Sequence, residues 1–135
     1  MTDITRYYLG TLGSESPLSS NDAMLSVFTE DLRKDLRLSG GNLVVYKIKQ
    51  IGHWQWHYSW LPGKHAYVHD GGLSRNELRA LYQADATMSF LEPRDVAPHA
   101  AYTVRFAANS WRERLLKRAG DCWYYEVYFE LTQVS

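Results

Sequence analysis

The chain carries one cysteine, Cys122, in 135 residues. No disulfide can form within it, which suits a reducing compartment. It has no net charge either: 15 Lys and Arg balance 15 Asp and Glu. A neutral chain exerts no long-range pull on phosphate or an anionic membrane, which argues against a general nucleic-acid coat protein. Neutrality also lowers solubility near pH 7 and favours self-association or a standing partner. No apolar stretch approaches the roughly 18 residues that a membrane span needs. Residues 1–6 lack the charged-then-apolar layout of a signal peptide. The expected location is the cytoplasm, with no membrane partner.

Signatures of catalysis are missing as well. There is no Gly-x-Ser-x-Gly, no phosphate-binding Gly-rich loop and no Gly-x-Gly-x-x-Gly. Cys122 stands beside Asp121, whose charge disfavours a thiolate, so an inert strand residue is expected there. No cofactor and no metal are expected, and enzymatic activity is not favoured.

Aromatic residues, in contrast, are abundant: five Trp and ten Tyr in a chain that is 14% aromatic. They favour strands and cores, and they also dominate binding surfaces. Residues 53–60, His-Trp-Gln-Trp-His-Tyr-Ser-Trp, alternate most cleanly. Trp54, Trp56, Tyr58 and Trp60 share one face of a strand; His53, Gln55, His57 and Ser59 share the other. Residues 122–132 repeat the pattern, with Trp123, Tyr125, Val127, Phe129 and Leu131 on the apolar face. Tyr124, Glu126, Tyr128 and Glu130 lie on the wetter one.

Further strands are expected over residues 4–10, 42–50, 65–69 and 101–107, with loops over 11–20 and 91–98 and a turn at 61–64. The spacing of Met24, Leu25, Phe28, Leu32 and Leu36 predicts a helix from about residue 20, stopped by Gly40 and Gly41. Ser74 with Glu77, and Ser110 with Glu113, have the capping-box spacing. They predict a second helix from residue 74 and a short basic one over 111–119. The expected fold is a single α+β domain over 1–135. It would have a mostly antiparallel sheet of about five to six strands, with two or three helices packed on one face.

Four of the five histidines fall at 53, 57, 65 and 69. Strand residues four apart lie roughly 13 Å apart, too far to share one zinc ion. The polar half of amphipathic strands is the simpler reading. The residues left for function are Tyr124, Tyr128, Glu126 and His57 on the wet face, and Arg112, Arg114, Lys117 and Arg118 on the basic segment. The first-ranked reading is a small non-enzymatic protein of inhibitor, immunity-type or accessory class. It would act through contact with another protein, a second copy of itself included, because Tyr and Trp dominate interface hot spots. A nucleic-acid binder using residues 111–119 and the polar sheet face is the first alternative. A small-ligand protein or enzyme with a pocket at His57, Tyr124 and Glu126 is the second.

Overall fold

The computed structural model describes residues 6–20, 23–37, 43–93 and 100–134, and of 31–37 and 43–49 the backbone. Its elements are β1 (Tyr8–Thr11), β2 (Ser14–Pro17), β3 (Ala23–Arg37), β4 (Leu43–Pro62), a 3-10 turn (His65–Tyr67), α1 (Arg75–Ala84), β5 (Met88–Glu92), β6 (Ala100–Phe106), β7 (Arg112–Ala119) and β8 (Cys122–Gln133). The strands form one antiparallel sheet in the order β2-β1-β5-β6-β8-β4-β3, with β7 also on β8. The α+β expectation with two or three helices and five to six strands is therefore overturned. Among the described residues there are eight strands and a single α-helix.

Two predicted helices are strands. The apolar positions of residues 23–37 also fit a helix, but β4 pairs with this segment along its whole length. In that register Leu25 stands opposite Trp56 and Val27 opposite Trp54, so the period-2 pattern is satisfied as well. The Gly40–Gly41 stop lies outside the described residues.

Residues 112–119 pair with β8. Glu113 does not reach back to Ser110: its carboxylate accepts from Arg75 at 2.7 Å and from Trp111 Nε1 at 2.9 Å. Gly120, at φ +60°, and Asp121 form a two-residue hairpin loop that sets Ala119 opposite Cys122. Smaller corrections follow the same pairing. Residues 65–67 are a 3-10 turn rather than a strand, and the expected loops contain β2 and the last two residues of β5, Leu91 and Glu92.

Of the three predicted helices only α1 keeps its form. The Ser74 side chain accepts from the Glu77 N–H, and the Glu77 carboxylate accepts from the Ser74 N–H at 3.1 Å. Leu78 is buried against the sheet, and Asp85, in the left-handed region at φ +50°, closes the last turn.

β6 gives the molecule its shape. It pairs with β5 over residues 100–104 and with β8 over 104–106, so the sheet curls there. The Trp54 ring meets Phe90 of β5 at 4.9 Å and Tyr102 of β6 at 5.0 Å. β4 and β5 are not neighbours in the sheet, so these contacts require the sheet to fold over on itself.

Phe129 sits in the middle of the enclosed aromatic cluster. It stacks with Trp56 and Trp111, each at 5.9 Å, and meets Phe106 at 5.4 Å. Tyr58 is also enclosed, and its hydroxyl donates to the Ser19 carbonyl at 2.7 Å. Burial, reinforced by the nearby Asp70 charge, pushes its phenol far above the ordinary tyrosine range.

Phe129→Ala is expected to cost about 3–5 kcal/mol, the usual range for emptying an aromatic site, read as a lower urea midpoint. Glu113 sets a pH limit. Burial opposes its ionisation, but hydrogen bonds from Trp111 and Arg75, with the charges of Arg75 and Arg79, hold its carboxyl below the usual range. A lowered folded pKa gives stability that is present above the ordinary carboxylate range and lost as pH falls through it. Glu113→Gln should therefore flatten the acid limb of a stability-versus-pH curve measured by urea unfolding.

Candidate functional site

β8 pairs with β4 from Tyr124 to Thr132, which fills one edge. β7 and β6 must then share the other, β7 at residues 122–128 and β6 at 131–133. The result is a four-strand panel, β7-β8-β4-β3. One face packs against the core and the other carries polar and aromatic side chains. The register lines up Arg112, Tyr128, His57 and Met24 across the panel, then Glu130, Gln55 and Ser26, then Thr132, His53 and Phe28.

Seven of the eight residues singled out from the sequence meet on this outer face. Glu126 is at its centre. His57 Nε2 lies 3.0 Å from one Glu126 oxygen, and Arg114 Nη2 lies 3.1 Å from the other. The Tyr128 hydroxyl donates to the His57-side oxygen at 3.4 Å. The His57 and Tyr128 rings stack at 4.1 Å, 3° from parallel. The hydrogen bond from His57, then the Arg114 charge and the Tyr128 hydroxyl, hold the Glu126 carboxyl below its usual range. Arg112 stands beside Tyr128, and Lys117 beside Tyr124. Arg118 is set apart, with its guanidinium 4.5 Å from the Trp123 ring.

The face also holds residues that the sequence pattern misassigned. The register shifts between Tyr58 and Leu61, which turns Trp60 outward to stack on Tyr124 at 4.8 Å. Trp60 is 39% exposed, whereas Trp54, Trp56 and Tyr58 are buried. Trp123, on the opposite face beside Arg118, is exposed too, because β4 reaches only as far as Tyr124. Met24 and Phe28, placed on a helix stripe by their spacing, are exposed on β3 at 70% and 44%. No short-range signal marks the irregularity at residues 58–61. The Gly120-Asp121 pair, by contrast, is a hairpin signal that sequence reading could have used.

An open groove of about 470 Å³ runs past Met24, His57, Arg112 and Tyr128. His57 and Glu126 are bonded to each other, and Tyr124 faces a different cleft of about 230 Å³ with Trp60 and Lys117. The three residues of the expected ligand pocket thus do not line one cavity. The histidines do not converge: His65 turns to Glu77 at 2.8 Å. Among the described residues no group of three or more His, Cys, Asp or Glu could hold a metal ion. No helix among them is long and apolar enough to cross a membrane.

Both lateral edges of the panel are uncovered. Among the described residues β3 pairs only with β4, and β7 only with β8. At these edges Val27 is 53% exposed and Leu115 is 37% exposed.

No family model matches the chain, and no curated protein matches it. Among solved structures it is similar to a chain of the tail of an empty GTA particle, computed with helical refinement and C6 symmetry. The two share 10% identity and a TM-score of 0.54, over 96% of this chain and 90% of that one. At that identity the likeness is one of fold. The inhibitor or immunity-type class expected from the sequence finds no support in these comparisons.

If Tyr128 and His57 serve contact and not folding, Tyr128→Ala should leave the unfolding free energy from urea titration within about 0.5 kcal/mol of the parent, the usual range for surface changes. A loss as large as that of a core residue would place Tyr128 in the folding framework instead.

Proposed function

We propose that the protein is a structural subunit that builds a particle tail by joining its sheet to that of a second copy, β7 of one copy against β3 of the next. The observation that carries this reading is the direction of the two uncovered edges. In the antiparallel panel, β3 and β8 run one way and β4 and β7 the other. A rotation about an axis along the strands preserves these directions. It brings β7 and the neighbour's β3 together antiparallel, and the hydrogen-bonding pattern continues across the joint. Such a contact is head-to-tail, so repetition closes a ring or extends a helix.

Side chains at the two edges are complementary. The outer face offers Arg112, Arg114 and Lys117 on β7, and Glu30 with Met24 and Phe28 on β3. The core-side face offers Leu115 on one edge and Val27 on the other. Zero net charge removes long-range repulsion between copies. Isolated proteins usually blunt an edge strand with charges or proline, yet β3 holds no proline and its first seven residues, 23–29, carry no charge. The likeness to a chain of a sixfold, helically refined tail supports the same reading.

A lysine at either edge tests it. Val27→Lys should block β3 and Leu115→Lys should block β7, each giving a monomer in sedimentation velocity with an unchanged far-UV spectrum. Mixed together, the two variants should form a capped dimer, because each retains the edge that the other lacks. Self-dimerisation of Leu115→Lys alone would indicate symmetric β3–β3 pairing and sink the head-to-tail arrangement.

A further inference from the structure

His53 lies on β4 between two carboxylates. Its Nδ1 is 3.0 Å from Glu130 Oε2 on β8. Its Nε2 is 3.8 Å from Glu30 Oε1 on β3. That Nε2 is buried and has no hydrogen-bond partner. The Phe28 ring stacks on the imidazole at 4.7 Å, 6° from parallel, and fixes its plane. Thr132 Oγ1, 3.4 Å from Nδ1, completes the surroundings. Among the described residues, Glu30 from β3 and Glu130 from β8 are the titratable groups that face the ring. Gln55 donates to the other Glu130 oxygen at 3.0 Å and holds that carboxylate in place.

A neutral imidazole has one N–H. With that proton on Nδ1 for Glu130, a bare lone pair on Nε2 faces Glu30. The long gap and the missing partner are what this predicts. A second proton, taken from water, would give Nε2 an N–H. Glu30 then needs to move by about 1 Å to accept it, since such bonds measure about 2.7–2.9 Å. The Glu30 side chain is 45% exposed and free to make that move.

We propose that His53 is a proton-operated latch on the assembly edge: protonated, it draws Glu30 into its own chain, and neutral, it leaves Glu30 to the Arg112 of a neighbouring copy. The latch rests on the edge-pairing reading for its consequence but not for its chemistry. Histidine side chains exchange their proton between about pH 5 and 8, so acidification across that range should close the latch and weaken the joint. An exposed ion pair changes affinity between about 1.5-fold and fivefold, and the effect is expected to fall within that span.

Two measurements test it. The first uses the Leu115→Lys variant, a monomer with β3 intact, in a carboxyl-carbon NMR titration from pH 8 to 5.5. The Glu30 carboxyl signal should move with the midpoint of the His53 ring, and His53→Gln should abolish that movement. A Glu30 signal that stays flat over this range, or that still moves in His53→Gln, overturns the latch. The second follows the mixed Val27→Lys and Leu115→Lys dimer at pH 8 and 5.5. It should be tighter at pH 8, and His53→Gln in the Leu115→Lys copy should remove the difference. An affinity difference that persists in that variant refutes the link to assembly. Should no mixed dimer form, the edge-pairing reading fails, and with it the link, while the latch itself is decided by the first titration.

Discussion

β8 hydrogen-bonds along both of its edges, and the rest of the molecule is arranged around that fact. β4 fills one edge, and β6 and β7 divide the other between them. Because β6 continues to β5, the sheet has to bend where β6 leaves β8. The bend lays β5, with β1 and β2 beyond it, over the aromatic face of β4. Phe129, in the middle of β8, is then surrounded by rings from β4, from β6 and from residue 111. Backbone pairing and burial thus reinforce each other at one strand, each limiting the register that the other can take.

The same constraint leaves two edges open. β8 and β4 lie inside the panel, so β7 and β3 become its borders. No described element covers them, and their apolar and charged residues face outward in matching sets. The outer face adds two histidine–carboxylate pairs, His57 with Glu126 and His53 with Glu130, each with an aromatic ring stacked on the imidazole. The first is closed on itself by Arg114 and Tyr128. The second lies next to Phe28 of the β3 border, and it is the pair that the proposed latch uses.

Much of the site could be read from the sequence because alternation along a strand is a local property. Tyr124, Glu126 and Tyr128 had to share a face if residues 122–132 were extended, and His57 had to oppose Trp56. Arg112, Arg114 and Lys117 were singled out for their charge, but on the wrong scaffold. Apolar spacing in a 15-residue segment such as 23–37 fits either period, and hydrogen-bond partners from a distant strand decide between them. The Ser110–Glu113 spacing copies a helix start, yet Arg75, 38 residues away in sequence, claims the glutamate.

The sequence by itself determined the strands at 122–132 and around 53–60, the capped helix at Ser74 and the sorting of aromatics between two faces, because each depends on neighbours within a few residues. The tertiary structure alone decided that residues 23–37 and 112–119 are strands. It also turned Trp60 outward and brought Glu30, His53 and Glu130 together. These outcomes depend on which strands lie side by side, and pairing across 77 residues, as between His53 and Glu130, leaves no trace in local spacing.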